Sequence, residues 1–226
     1  MSASIAERVA QVRERIEAAA RRSGRSAGEI TLVAVTKGVS AEGIKAARAA
    51  GLSFFGENRV QEAAAKIPAG SPGEWHMIGH LQTNKVAEAV RMFQMVQSVD
   101  SVRLAGKIDE ECARADRTMP VLFEVNVAGE AQKYGFKPEE IYAALDAAER
   151  LGRLRLVGLM GMAPNSAEAG PRREAFKKLR NIFNVLKSIK KENVEMRYLS
   201  MGMSDDFEPA IEEGSNMVRI GRAIFR

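Results

Sequence analysis

Hydrophobic positions follow two alternating patterns along the chain. From Ile5 to Arg22 apolar residues recur every three or four positions, which is typical of one face of an amphipathic helix. From residue 30 onward, short runs rich in β-branched, aromatic or Met residues alternate with longer stretches of helical periodicity. Eight of these runs predict strands: Ile30 to Thr36, Leu52 to Gly56, Trp75 to Gly79, Met95 to Val99, Val121 to Val127, Leu154 to Met160, Met196 to Met201 and Met217 to Ile220.

This alternation predicts a (β/α)8 TIM barrel with an extra N-terminal helix. Parallel strands read as continuous apolar runs because helices cover their outer face, and 226 residues suffice for one such barrel. Helices are expected from Ala41 to Ala50 and from Pro138 to Leu151. We therefore predict a single α/β domain over residues 1–226. The alternative, an open doubly wound sheet, typically has a glycine-rich first turn, whereas the turn here reads KGVS.

Composition narrows the functional class. No apolar stretch approaches the roughly 20 residues of a membrane helix, and the start MSASIAERVAQVRER is too charged for a signal peptide, so we expect a cytoplasmic protein without a membrane partner. The single cysteine, Cys112, cannot form an internal disulfide and is expected to be inert. The two histidines, His76 and His80, do not have metal-ligand spacing.

The net charge of +5 does not by itself indicate nucleic-acid binding. The basic runs Arg172 to Lys178 and Lys187 to Lys191 lie among acidic residues at helical spacing, which is typical of a solvated face. Aromatic residues are only 6% of the chain and do not interleave with basic ones as a base-stacking surface requires. We expect no nucleic-acid partner.

Candidate chemistry is concentrated at the carboxyl ends of the strands, where barrels of this class place their active groups. Lys37 directly follows the apolar run TLVAVT. An apolar strand end and a nearby arginine would both favour the neutral, nucleophilic amine of a Schiff-base lysine. The alternative is a lysine whose stem packs on the barrel rim while its ammonium group reaches water.

The C-terminal segment contains the ingredients of a phosphate site, namely Gly202 in a turn, Ser204 before a helix and Arg219 in the last strand. Ser204 could instead be the N-cap of that helix, and Arg219 could instead form a salt bridge. Asp205 and Asp206 are expected to serve the helix N-terminus.

The histidines and methionines point less clearly to function. We expect His76 to be a satisfied core residue, whereas His80, at the carboxyl side of its strand, is a candidate to face the site. The eleven methionines mainly predict barrel filling.

Seven segments in collinear order carry a resemblance that spans nearly the whole chain: LVAVTK, FFGENRVQE, WHMIGHLQTNK, KYGF, GLMGMAP, LSMGMSDDFEPAI and MVRIGRAIF. In these segments the chain resembles the pyridoxal phosphate homeostasis protein family, whose fold is similar to the barrel domain of bacterial alanine racemases. The resemblance implies that Lys37 forms a covalent aldimine with pyridoxal 5'-phosphate. It also implies that Ser204 and the backbone N–H groups of Gly221 and Arg222 hold the phosphate.

The same resemblance implies that Arg219 faces the pyridine nitrogen, with Asn58 near the ring as a weaker assignment. A permanently charged donor discourages protonation of the ring nitrogen, so the ring would be a weak electron sink. The chain departs from the family at Val39, where a second lysine is frequent, and at Gly161, where a hydroxyl residue is common. It also ends at Phe225-Arg226, before the usual glycine and short tail. These differences affect an auxiliary lysine and the C-terminal rim, and we expect the binding set to be unaffected.

The predicted function is therefore a non-catalytic protein that stores, buffers or delivers pyridoxal phosphate and so affects amino-acid and keto-acid balance. Its expected partners are the cofactor and apo-enzymes that use it, and the expected state is a monomer. One alternative is a pyridoxal phosphate-dependent amino-acid racemase, which would need a second, β-rich domain that we do not expect here. A third hypothesis is an aldolase that uses Lys37 directly on a phosphorylated sugar.

Overall fold

The computed structural model describes residues 3–67, 72–130, 132–166 and 168–226. Eight parallel strands close into a barrel in the order of the chain, and the last strand pairs with the first. Helices connect the strands, and one further helix precedes them. The predicted (β/α)8 barrel with an extra N-terminal helix is confirmed. Across the described ranges, no helix has both the length and the apolar character to cross a membrane.

The strands occupy these ranges: β1 Thr31–Val35, β2 Phe54–Glu57, β3 Glu74–Met77, β4 Met95–Val99, β5 Met119–Val125, β6 Leu154–Gly161, β7 Val194–Ser200 and β8 Met217–Ile220. The α-helices occupy these ranges: α1 Ile5–Arg22, α2 Ala41–Ala49, α3 Val60–Lys66, α4 Val86–Met92, α5 Val102–Arg114, α6 Ile141–Glu149, α7 Ala169–Lys187, α8 Phe207–Glu212 and α9 Arg222–Phe225.

The strand predictions differ from the structure mainly at their ends. The ranges of β4 and β8 are as predicted, whereas β3 stops at Met77 and the chain turns away before Gly79. A side chain on Gly79 would place its Cβ 2.4 Å from the carbonyl oxygen of Asn58, so only glycine allows this close approach of two loops. The predicted helix from Pro138 to Leu151 is in fact a 3-10 turn over Pro138–Glu140 followed by α6.

Helix α1 lies beside the C-terminal elements α8 and α9. It begins with a capping box, in which the Ser4 hydroxyl accepts from the backbone of Glu7 and the Glu7 carboxylate accepts from the backbone of Ser4. The guanidinium of Arg15 in α1 donates to both carboxylate oxygens of Glu208 in α8, at 3.0 and 2.8 Å. Its buried face is apolar and consists of Val9, Val12, Ile16, Ala19 and Ala20. The helix therefore packs against the elements that follow β7 and β8.

The barrel interior contains both apolar and polar side chains. Its apolar part is a small cluster of inward side chains: Val33, Met95, Leu122, Val157, Met160 and Met217. Three of these are methionines, in agreement with the predicted barrel filling. Polar side chains complete the buried set, including His76, Gln97, Ser200, Glu124 and Arg219. Buried polar groups of this kind are costly unless they are hydrogen-bonded, so their partners carry structural information.

Candidate functional site

Lys37 lies two residues beyond the end of β1, in an open cavity of about 620 Å³. Gly221 and Arg222, which follow β8, line the same cavity. This proximity results from barrel closure, since β1 pairs with β8 with Val33 opposite Arg219. The structure therefore brings together three of the six predicted binding residues. The side chain of Lys37 is exposed, which agrees with the alternative of a rim lysine whose ammonium group reaches water rather than with a lysine buried at the strand end.

The backbone on both sides of Lys37 is held by residues of β2 and α3. Lys66 donates to the Thr36 carbonyl oxygen at 2.6 Å, and the backbone N–H of Gly38 donates to the Glu62 carboxylate at 2.5 Å. Lys66 also binds the carboxylates of Glu57 and Glu62, at 3.0 and 2.6 Å. Glu57 is completely buried and accepts from the Thr36 hydroxyl at 2.6 Å. Lys37 therefore extends from a fixed backbone while its amine remains accessible.

Ser204 lies in the loop after β7, and its hydroxyl accepts from the backbone N–H of Ala223 at 3.3 Å. This bond joins the loop to the first turn of α9, because Ala223 directly follows Gly221 and Arg222. The alternative interpretation of Ser204 as the N-cap of α8 is wrong, because Asp206 occupies that position. The Arg222 side chain binds the carboxylate of Asp205.

The carboxylates after β7 act differently from the prediction. Asp206 makes no side-chain bond to the first turn of α8, and instead accepts from the backbone N–H of Met203 at 2.6 Å. Burial raises the pKa of Asp206 above its ordinary value. The preceding turn needs glycine at position 202, where φ is +96° and a Cβ would lie 2.6 Å from that of Ala210. This turn and the Asp206 bond fix the loop that carries Ser204.

Arg219 points into the barrel and is only 4% exposed. Its Nη1 donates to the backbone oxygen and hydroxyl of Ser200, at 2.9 and 2.7 Å, and its Nη2 donates to the Gly161 carbonyl at 3.1 Å. Burial lowers the pKa of Arg219 to about 10, although the charges of Glu124 and Asp206 oppose this shift. The guanidinium is thus held by neutral oxygen atoms rather than by a directly bonded carboxylate.

Asn58 follows β2 and is half-buried, but it lines a neighbouring cavity rather than the one that contains Lys37. That neighbouring cavity, of about 650 Å³, is also lined by Arg59, His80 and Lys85. The structure therefore leaves Asn58 at the edge of the candidate site. His80 is exposed, and its Nδ1 donates to the Asp100 carboxylate at 2.8 Å. It lines this neighbouring cavity rather than the one that contains Lys37.

Comparison with known proteins assigns the fold and the family. The profile of the alanine racemase N-terminal domain family matches residues 8–226. The pyridoxal phosphate homeostasis protein of Pseudomonas aeruginosa is 42% identical over 224 residues, which cover 98% of this chain and 95% of the relative. The protein of the same name from Aquifex aeolicus is 39% identical over 221 residues, covering 97% of this chain and 96% of the relative.

The chain belongs to the pyridoxal phosphate homeostasis protein family. Among solved structures, PipY of Synechococcus elongatus with pyridoxal phosphate bound is similar, with a TM-score of 0.85 and 32% identity over 99% of this chain and all of that one. Alanine racemase of Streptomyces lavendulae shares the barrel fold, with a TM-score of 0.74 and 20% identity over 94% of this chain and 56% of that chain. The family resemblance and the racemase-like barrel expected from the sequence are both confirmed.

For this member of the pyridoxal phosphate homeostasis family, the sequence pattern missed an acidic side chain inside the barrel. Glu124 is 4% exposed, and burial raises its pKa to about 7, against the opposing charge of Arg219. Its only sequence signal is a lone acidic residue within the apolar run from Val121 to Val127, on the same strand face as Leu122.

The other positions singled out in the sequence are explained by their contacts and burial. Cys112 is completely buried in α5, and burial raises its pKa to about 11, which keeps the thiol in its unreactive form. The carbonyl oxygen of Gly161 accepts from Arg219, which is a backbone contact that does not depend on the side chain at this position. Val39 lines the cavity of Lys37 and leaves that part of its wall apolar. Among the described residues, no group of three or more His, Cys, Asp or Glu side chains could hold a metal ion.

Proposed function

We propose that this protein binds pyridoxal 5'-phosphate covalently at Lys37 and serves the homeostasis of that cofactor without catalysing its chemistry. The curated relatives that match over almost their whole length are named for this homeostasis. The PipY structure, at 32% identity, contains the cofactor. Both findings support a binding role for this chain, and the position of Lys37 supports a particular attachment point.

The observation that carries the proposal is the cavity shared by Lys37, Gly221 and Arg222. An accessible primary amine at the end of β1 suits an aldehyde. The backbone N–H groups of Gly221 and Arg222 at the end of β8 suit a phosphate. Ser204 joins this set through the start of α9. The donors therefore fit a ligand that carries an aldehyde and a phosphate group close to one another, as the neighbouring substituents of the pyridoxal phosphate ring are.

Arg219 would face the pyridine nitrogen, and Asn58 would lie at the edge of the ring. The bound cofactor supplies an aldehyde for attachment and a ring that can accept electron density. Arg219 only donates hydrogen bonds, so it favours an unprotonated ring nitrogen and limits that electron acceptance. The residues of this site are thus suited to hold the cofactor more than to activate it.

Covalent attachment is tested by absorbance before and after borohydride reduction, followed by peptide mass mapping. We expect a visible band that borohydride removes, and a pyridoxyl group on the peptide that contains Lys37. Lys37→Ala should abolish both signals. Lys45→Ala, which removes an exposed lysine of nearby α2, should retain both. A label mainly on another lysine would exclude this assignment, and a colourless protein labelled only with a phosphorylated sugar would support the aldolase hypothesis.

Delivery to apo-enzymes follows from the openness of the site. Lys37 and Arg222 are both exposed, so a bound cofactor could leave without a lid having to open. We propose apo-enzymes that use pyridoxal phosphate as partners, with effects on amino-acid and keto-acid balance, and a monomer as the acting form. Recovery of activity by an apo-aminotransferase mixed with the loaded protein tests transfer. Recovery no faster than spontaneous release into a scavenger of free cofactor would limit the role to buffering.

A further inference from the structure

A chain of buried polar side chains crosses the barrel interior from Arg219 to β3. Arg219 donates to the Ser200 hydroxyl at 2.7 Å, and Ser200 donates to the Gln97 side-chain oxygen at 2.7 Å. The Gln97 amide nitrogen lies 2.8 Å from Nδ1 of His76. Ser200, Gln97 and His76 are all completely buried. The chain thereby joins four strands, β8, β7, β4 and β3.

Because Arg219 can only donate, every hydrogen bond in this chain is donated in the same direction, from Arg219 toward His76. A guanidinium only donates, so the Ser200 oxygen must accept from Arg219 and its own proton must go to Gln97. The side-chain oxygen of Gln97 is then occupied, so its amide group faces His76 as a donor. Nδ1 of His76 must accept that bond, which requires a neutral imidazole with its proton on Nε2.

His76, at the far end of the chain, is completely buried, but one of its ring nitrogens lacks a hydrogen-bond partner in the described part of the protein. Nε2 of His76 has no hydrogen-bond partner among the described residues. The carboxylate of Glu74 lies 3.8 Å from it, which is longer than a hydrogen bond. Gln97 also approaches the Met217 sulfur at 3.2 Å, and Phe54 packs edge-on against the His76 ring. The imidazole therefore occupies one fixed place, where its tautomer depends chiefly on Gln97.

We propose that Ser200, Gln97 and His76 are positioning residues that orient Arg219 toward the cofactor ring, and that the state of Arg219 is transmitted along them to His76. This inference rests on the proposed function, because it assumes that Arg219 meets the ring nitrogen. Hydrogen bonds in a buried chain polarise one another, so a new acceptor at Arg219 changes the strength of every bond between Arg219 and His76. An acceptor on the guanidinium weakens its bond to Ser200 and thus the bond that Gln97 donates to His76.

The protein contains two histidines, so the state of His76 can be measured by nitrogen NMR of 15N-labelled protein. We expect His76 to carry its proton on Nε2 before and after addition of pyridoxal phosphate, and its Nδ1 signal to shift on addition. An analogue with C–H in place of the ring nitrogen should label Lys37 after borohydride and leave His76 almost unchanged. A His76 with its proton on Nδ1, or an equal shift with the analogue, would overturn the proposal.

Variants separate positioning from simple packing. Gln97→Met keeps the volume of the side chain but breaks the chain, so the His76 response should disappear while Lys37 is still labelled. Ser200→Ala removes one oxygen that holds Arg219, and we expect about tenfold weaker cofactor binding. It provides a second break if Gln97→Met does not fold. Ser98→Ala is the matched control, because its buried hydroxyl binds the Gly79 carbonyl on the other face of β4.

The outcomes are distinct from failure of the proposed function. If Lys37 takes no label from pyridoxal phosphate in the parent protein, the proposed attachment fails, and the tautomer of His76 still tests the direction of the chain. If Lys37 is labelled and the His76 response survives in both Gln97→Met and Ser200→Ala, coupling along the chain is excluded.

Discussion

The ammonium nitrogen of Lys66 lies 2.6 Å from the carbonyl oxygen of Thr36, so a residue of α3 holds the end of β1 directly before Lys37. The same ammonium is 3.0 Å from the completely buried carboxylate of Glu57. A single cation therefore connects the backbone of the candidate attachment site to the buried side of β2.

Replacement of Lys66 should be costly for this reason. Lys66→Met leaves the Glu57 carboxylate buried without its cation, and we expect a loss of roughly 3 kcal/mol in the free energy of unfolding. Urea unfolding measures this loss of stability. Cofactor affinity should fall as well, because Lys66 also holds the backbone before Lys37. The double variant Glu57→Gln/Lys66→Met should recover part of the stability. Equal stabilities of the parent protein and Lys66→Met would contradict this account.

Ser204 is expected to contribute to cofactor affinity. If Ser204 holds the phosphate as proposed, Ser204→Ala removes one hydrogen bond to a charged group, worth roughly 1.5 to 3 kcal/mol, so affinity should fall about tenfold to a hundredfold. Titration of the visible band measures this change.

Ser101→Ala provides the contrast for Ser204, because the Ser101 hydroxyl caps α5 by accepting from the backbone of Leu104. That variant should lower stability by about 1 kcal/mol and leave affinity as it is. If Ser204→Ala shows this second pattern instead, the serine has only a structural role.

Glu124 predicts a pH-dependent stability. Burial raises its pKa in the folded protein to about 7, whereas the ordinary value is 4.5. Between these values the folded protein keeps a proton that the unfolded chain has lost, so stability from this group falls as the pH rises through about 7. Glu124→Gln cannot ionise and should therefore be more stable than the parent at about pH 8, by up to about 3 kcal/mol.

Urea unfolding of the cofactor-free protein at about pH 5 and about pH 8 tests the Glu124 prediction. The advantage of Glu124→Gln should shrink at the lower pH, where the parent carboxyl is neutral in the folded state. Glu42→Gln, at an exposed position of α2, should show no comparable change. An advantage that is the same at both pH values would mean that Glu124 does not titrate as described.

The absence of turnover is the last prediction. Racemisation needs proton-transfer groups on both faces of the substrate. In the proposed site Lys37 would supply one such group, and Arg219 beside the ring nitrogen would limit electron acceptance by the ring. We expect stoichiometric protein with L-alanine in deuterated water to incorporate Cα deuterium far more slowly than a true racemase does. Incorporation at racemase-like rates, followed by proton NMR, would support the alternative function.

The chain order of apolar runs and helices was sufficient to predict the barrel, because each buried parallel strand is a local feature of sequence. The boundaries of β4 and β8 are as predicted for the same reason. Lys37 and Arg219 were also recognisable, since a charged residue at or within an apolar strand stands out without knowledge of its neighbours. The collinear motifs added the family, which the comparisons confirm.

Only the tertiary structure decided which side chains meet. Barrel closure sets Val33 opposite Arg219, although 186 positions separate them in the sequence, and so puts Lys37 beside Gly221. The link from Ser200 to Gln97 likewise spans 103 positions. Exposure of the Lys37 side chain was decided at this level too, because it depends on the surrounding loops and not on the apolar run before it. Contacts between distant strands depend on register and closure, which the sequence of one strand does not encode by itself.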